Sequence, residues 1–144
     1  MMQPRASVRL ATANDVDAVS ALARSLATTF AFEDDAFRAT FDRLSERDDV
    51  RLLVAVRNDH VVIGYLLGFV HDAFFANGPV AWIEEMCVSE PQRRRGVGRG
   101  LEEEFALWAK DQGTKLIAIA TRRATSFYAA LGCEDSATYF RRIL

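Results

Sequence analysis

Cysteine is scarce in this chain. There are two, Cys87 and Cys133, too far apart to suggest a disulfide framework and matching no metal-ligand spacing, so no metal is expected. Each lies in an apolar neighbourhood, which reads as a buried free thiol in a reducing compartment. No linker rich in proline and glycine, no low-complexity tract and no internal repeat divides the sequence. The 144 residues therefore read as one domain, 1–144, large enough to bury a core without staples. Long apolar runs are missing too. Nothing approaches the ~18 residues of a membrane span, and Met1 to Ala11 lacks the apolar segment of a secretory signal. The expectation is a cytoplasmic protein with no membrane partner. Neither sign of charge dominates: 18 Lys and Arg against 20 Asp and Glu leave a net −2. A surface-wide affinity for polyanions is excluded, and any basic site must be local. Without a basic excess or interleaved exposed aromatics, no nucleic-acid partner is expected.

What is present is an ordinary globular composition, 50% hydrophobic and 26% charged, patterned as alternating strands and helices. Ser7-Val8-Arg9-Leu10 is a short strand, and Thr12 to Asp15 offers capping side chains before a helix. That helix carries Val16, Val19, Leu22, Ala23 and Leu26 on one face. A second helix runs from about Asp34 to Asp48, with Phe37, Phe41 and Leu44 along one side. Leu52–Val56 and Val61–Val70 are strands joined by a turn at Arg57 to His60. His71 to Pro79 reads as a loop, and Val80 to Ser89 as another strand. A helix from near Gly98 carries Leu101, Phe105 and Trp108 and stops at Gly113. Lys115 to Ala120 is a strand, Ala124 to Leu131 a short helix stopped by Gly132, and Ala137 to Leu144 a final strand. The order β-α-α-β-β-β-α-β-α-β predicts an α/β fold with a mixed sheet and helices on both faces. A final strand at a sheet edge would support a homodimer.

The most informative stretch joins the strand ending at Val88 to the following helix: Ser89-Glu90-Pro91-Gln92-Arg93-Arg94-Arg95-Gly96-Val97-Gly98-Arg99-Gly100-Leu101. Gly96, Gly98 and Gly100 leave room for backbone N–H groups to turn toward a ligand. A helix N-terminus adds unsatisfied donors and partial positive charge, which suit a pyrophosphate. Arg93, Arg94, Arg95 and Arg99 surround it. A dinucleotide fingerprint would need a glycine where Leu101 stands, and a P-loop would need Gly-Lys-Ser/Thr, which is absent. The bland reading is a glycine turn with a solvated arginine run.

Arg93-Arg94-Arg95-Gly96-Val97-Gly98 also fits the pattern R/Q-x-x-G-x-G/A of the GNAT superfamily of N-acetyltransferases. Ahead of it, Trp82-Ile83-Glu84-Glu85-Met86-Cys87-Val88 looks like the strand that precedes this loop in the superfamily. Behind it, Ala124-Thr125-Ser126-Phe127-Tyr128-Ala129-Ala130-Leu131-Gly132-Cys133 resembles the A-x-x-F-Y-x-x-L-G-F segment, and Val8 to Asp15 fits the usual first strand and helix entry. Three motifs in order span nearly the whole chain. Three positions depart: Arg94 stands where a glycine is common, Thr121 where an asparagine is common, and Cys133 where an aromatic is common.

The resemblance implies the GNAT fold, acetyl-CoA as co-substrate and a primary amine as acceptor, either a small molecule or a protein amine. It implies a base on the strand before the loop, at Glu84 or, less directly, Glu85, and an acid at Tyr128 that protonates the CoA thiolate. The main chain at Met86, Cys87 and Val88, the loop Arg93 to Gly100 (Val97 included), Thr121 and Tyr128 would hold the cofactor. A lysine-like amine, with a pKa of about 10.4, is neutral only about once in a few thousand molecules at pH 7, so a base is required. If the strand is regular, Glu84 and Glu85 point to opposite faces; a bulge here would blur that alternation. The acceptor pocket is expected between Thr28 to Asp49 and the loop carrying His71, Asp72, Phe74 and Phe75. The alternative is a non-catalytic acyl-CoA-binding regulatory domain.

Overall fold

The computed structural model describes residues 6–144, so residues 1–5 of the expected domain lie outside it. Five strands form one sheet in sequence order: β1 (Ser7–Leu10), β2 (Val50–Val56), β3 (Val62–Ala73), β4 (Gly78–Val88) and β5 (Ile117–Ile119). The first four are antiparallel, and β5 joins β4 in parallel. Helices α1 (Val16–Leu26) and α2 (Asp34–Ser45) connect β1 to β2, α3 (Val97–Asp111) connects β4 to β5, and α4 (Thr125–Ala130) follows β5.

The mixed sheet is covered on both faces because its strands alternate two apolar sets. In β2, Leu53 and Ala55 join Leu101, Phe105 and Trp108 of α3, whereas Val50, Val54 and Val56 join Val19 and Ala23 of α1 and Phe41 of α2. The stripe expected on α1 faces this second core, with Val19 and Ala23 buried. The chain enters α1 through Asp15, which is only 5% exposed. Its carboxylate accepts two hydrogen bonds from the Arg9 guanidinium, at 2.7 and 3.0 Å, and one from the Thr12 backbone N–H at 2.7 Å. Those bonds, the Arg9 pair foremost, hold the Asp15 carboxyl below the usual carboxylate range.

β4 holds one residue more than its partner. Leu67 pairs with Glu85 and Gly68 with Ile83, so Glu84 is the extra residue of a β-bulge. Before the bulge Ala81 and Ile83 face the α3 core, and after it Met86 and Val88 do, while Cys87 turns to the α1 side. Beside the bulge, Gly68 makes room for Phe105: a Cβ there would lie 2.2 Å from the ring's Cε2.

Several expectations need correction. His71 to Pro79 is not a loop: β3 and β4 stay paired out to Ala73 and Gly78, and a single 3-10 turn, Phe74–Ala76, closes the hairpin. Asn77 (φ 58°) and Gly78 (φ 149°) supply the unusual backbone that this needs. The second helix stops at Ser45 rather than Asp48. No strand forms at Ala137 to Leu144. Tyr139, Phe140, Ile143 and Leu144 are exposed there; Arg141 Nη1 instead donates to Thr29 Oγ1 in the α1–α2 connection at 2.9 Å, and the edge strand that would support a dimer does not form. Cys87 is buried as expected, but Cys133 is exposed, since the chain beyond α4 packs loosely after Gly132 (φ 92°).

Gly68→Ala should lower unfolding stability by about 1–3 kcal/mol, because the ring it strikes is fully buried; urea denaturation measures this. Asp15→Asn should destabilise the protein by about 1–3 kcal/mol at neutral pH. The folded-state pKa of Asp15 is depressed, so its contribution is complete above the unfolded carboxylate value of about 3.9 and fades as pH falls through the lower folded value. The gap between parent and variant in unfolding free energy should therefore hold from pH 8 to 5 and close below about pH 4.

Candidate active site

The bulge brings Glu84 and Glu85 to one face. Both line a cavity of about 790 Å³ bounded by α1, α2, the sheet and the C-terminal segment. The regular alternation expected from sequence would have separated them. Glu84 is exposed within this cavity, whereas Glu85 is half-buried. Glu85 Oε1 accepts a hydrogen bond from the Tyr65 hydroxyl at 2.8 Å. Tyr65 is 2% exposed, and burial, with the Glu85 carboxylate second, holds its phenol well above the ordinary tyrosine range. Sequence reasoning does not single out Tyr65. The available signal is a tyrosine inside the apolar run Val62 to Val70, where a buried hydroxyl needs a partner.

On its other edge β4 parts from β5. The parallel pairing covers only Ala81 to Ile83 against Ile117 to Ile119. Beyond it, the β4 backbone at Met86, Cys87 and Val88 keeps β3 as its neighbour and has no β5 residue in register. Parallel strands that separate leave backbone N–H and C=O groups available to an extended ligand arm. The Cys87 side chain points away from that edge, with Sγ 3.6 Å from the Leu22 carbonyl oxygen.

The loop after β4 runs through a 3-10 turn, Glu90–Gln92, into α3. Arg93 Nε donates to the Val88 carbonyl at 3.0 Å and ties the loop to the strand end. Gly96 adopts φ 82° and ψ 8° as the residue before α3, and a Cβ there would meet nothing within 4 Å. This open cradle at a helix N-terminus, with Arg93, Arg94, Arg95 and Arg99 exposed around it, fits the pyrophosphate of a CoA-type ligand. Val97 is buried, and Gly100 donates its N–H to the Gly96 carbonyl at 3.0 Å. Gly98 serves packing: its Cβ would lie 3.0 Å from Phe127 Cζ, so α4 docks directly on the first turn of α3.

That docking carries Tyr128 to the same end of the sheet. Tyr128 is 8% exposed and meets Phe127 edge-on at 4.9 Å. Burial, aided by Cys133 and Glu102, pushes its phenol up to about 12, so it is protonated throughout the neutral range. Thr121 is exposed past the end of β5, and its hydroxyl accepts a hydrogen bond from the Ala124 N–H at 3.0 Å. Phe74, Phe75, His71 and Asp72 lie outside the cavity lining, on the far hairpin, while Thr28 to Leu44 supplies much of it. Among the described residues no group of His, Cys, Asp or Glu is placed to hold a metal ion, and no helix is long and apolar enough to cross a membrane.

Fold and site together define an acyltransferase. More narrowly, the chain belongs to the Acetyltransferase (GNAT) family, whose pattern matches residues 18–133; this family uses acetyl-CoA as acyl donor. No curated protein sequence matches the chain significantly. Among solved structures, a transcriptional regulator from Bacillus halodurans C-125 is similar, with a TM-score of 0.85 at 20% identity over 96% of this chain and 99% of that one. Glucosamine-6-phosphate N-acetyltransferase from Arabidopsis thaliana gives a TM-score of 0.84 at 18% identity, covering 97% and 99%. AAC(6')-Iy in complex with the bisubstrate analog CoA-S-monomethyl-acetylneamine gives 0.82 at 21%, covering 98% and 100%.

The departure at Arg94 has a conformational cost, since this residue sits in the left-handed region at φ 65°, where a side chain loses about 1–2 kcal/mol. Arg94→Gly should leave stability unchanged or raise it by up to about 1 kcal/mol, because relief of strain outweighs the added chain entropy. Arg94→Val, β-branched, should lower it by about 1–2 kcal/mol. Paired urea melts of the two variants check the contrast.

Proposed function

We propose that the chain moves the acetyl group of acetyl-CoA directly to a primary amine bound in the cavity above Glu84 and Glu85. The observation that carries this reading is that one five-residue stretch of β4, Glu84 to Val88, presents carboxylates to the cavity and, beside β5, an edge with no β5 residue in register. The fold shared with glucosamine-6-phosphate N-acetyltransferase and with AAC(6')-Iy, the latter bound to a CoA bisubstrate analog, supports amine acetylation.

When bound, acetyl-CoA supplies an activated thioester carbonyl and a thiolate leaving group. The chain's part is to hold it and to manage two protons. The backbone N–H groups of Gly96, Val97 and Gly98, with Arg93, Arg94, Arg95 and Arg99, would hold the pyrophosphate, while the Gly100 N–H is already given to Gly96. The backbone of Met86, Cys87 and Val88 aligns the pantetheine arm, with Thr121 at its margin. Glu84 takes a proton from the ammonium, directly or through water, so that the free amine attacks. Glu85, one oxygen already engaged by Tyr65, pairs with the substrate cation. As the nitrogen–carbon bond forms and the carbon–sulfur bond breaks, Tyr128 gives its hydroxyl proton to sulfur, and the surplus proton on the new amide nitrogen leaves through water and restores the phenol. A phenol near 12 is a weak acid, but the departing thiolate is the base created beside it.

Calorimetry with acetyl-CoA, CoA and ATP, using an Arg95→Glu/Gly96→Glu double variant as control, tests the cofactor site. Saturable binding of the first two, lost in the variant and weak for ATP, is expected. A release assay for CoA thiol against a panel of amines then separates an enzyme from a silent acyl-CoA binder. Glu84→Gln should cut kcat by about 10²-fold or more while leaving acetyl-CoA affinity unchanged. Glu85→Gln should act mainly on the acceptor KM, and Tyr128→Phe should lower kcat about tenfold or more without loss of cofactor binding. Parent-like turnover in Glu84→Gln or Tyr128→Phe would remove that residue from the mechanism.

A further inference from the structure

The acceptor cavity has a composition that discriminates among amines. Resting on the acetyl-transfer reading above, we infer that the acceptor is a monocationic amine carried on an apolar or aromatic body, not a polycation.

The cavity of about 790 Å³ is large enough for a ligand of drug-fragment size. Its long wall is aromatic. Phe32, Phe37 and Phe41 run in a continuous row, with ring centroids 5.6 and 6.0 Å apart, and Phe30 lies at the outer edge, 70% exposed. Phe32 is fixed from behind by the Arg24 guanidinium, 4.7 Å from its ring centroid.

Charge narrows the class further. The anionic groups lining the cavity are Glu84, Glu85 and Glu33; the cationic ones are Arg141 and Arg142. Arg141 is held at the mouth by a hydrogen bond from Nη1 to Thr29 Oγ1 at 2.9 Å. Two adjacent glutamates on the sheet receive one ammonium. Away from the two glutamates of the sheet the lining carries one carboxylate, Glu33, against two guanidiniums, Arg141 and Arg142, so a second or third ammonium would meet a net positive rim. The arginines oppose it by like-charge repulsion, and the one ring of the row with a cation on its face, Phe32, already carries Arg24. The same wall rewards an apolar body at roughly 25 cal/mol per Å² buried.

The test uses the full chain saturated with acetyl-CoA and compares 2-phenylethylamine and tryptamine with spermidine and kanamycin, reading kcat/KM from CoA thiol release. The aromatic monoamines should lead by about tenfold or more. Arg142→Glu, an exposed position, should narrow the gap by raising spermidine turnover, and Phe37→Ser should narrow it by lowering the aromatic amines. Equal or better turnover of the polycations by the parent overturns the inference while leaving acetyl transfer intact. If no amine is acetylated, saturation transfer NMR decides: contact of 2-phenylethylamine with the cavity upholds the pocket chemistry and overturns catalysis, whereas no contact overturns the inference itself.

Discussion

The extra residue in β4 is the constraint on which the site depends, and burial energetics explain why it is there. Ala81 and Ile83 face the α3 core. Continued without interruption, that alternation would point Glu85 into the same core, beside Leu101 and Phe105, both 0% exposed. An unpaired carboxylate there would cost several kcal/mol, on the order of a buried charge without a partner. Inserting Glu84 shifts the phase by one. Met86 and Val88 then cover α3, Cys87 enters the other core, and both glutamates reach the cavity. Gly68 accommodates the same adjustment from β3, by letting Phe105 press against the sheet where a side chain would otherwise stand.

The same stretch also organises charge. A net charge of −2 conceals two opposed regions on either side of β4. Four arginines gather around the N-terminus of α3, and glutamates line the cavity floor under α1 and α2. An anionic donor and a cationic acceptor would each be drawn to its own side of one strand, which suits a reaction that joins them across it. Gly98 ties Tyr128 into this arrangement. Because α4 rests on that glycine through Phe127, Tyr128 is carried by the helix that closes on the arginine loop.

Much of this is legible in the order of the residues. The Arg93 to Gly100 loop shows itself through composition, since glycines needed for backbone geometry and arginines needed for charge are both local signals. The strands and the long helices follow from periodicity, because each buries one face. The features that stay hidden depend on partners distant in sequence. The bulge arises from a conflict between Glu85 and a core contributed by α3, so no window of β4 alone contains it. Tyr65 matters through a carboxylate twenty positions away. The segment from His71 to Pro79 resembles a loop because its polar and aromatic residues follow no single period, although Asn77-Gly78 is a turn signal of the right kind. Arg94 passes for an innocuous variation because backbone strain at φ 65° has no trace in composition.

The final segment, expected as a strand, exposes a division of labour. Tyr139 to Leu144 has the residue types of a strand but pairs with no neighbouring strand, and four of its members line the cavity: Tyr139, Arg141, Arg142 and Ile143. The opposite wall comes from Ala27 to Glu33, also outside regular structure. Thus the floor of the cavity is sheet, fixed by hydrogen-bond register, while much of its rim is irregular backbone free to vary without disturbing either core. Proteins only 18–21% identical to this chain retain its fold. A fixed floor with a variable rim is a physical reason why such likeness carries the fold and not the acceptor, which must be read from the aromatic and charged residues of this particular rim.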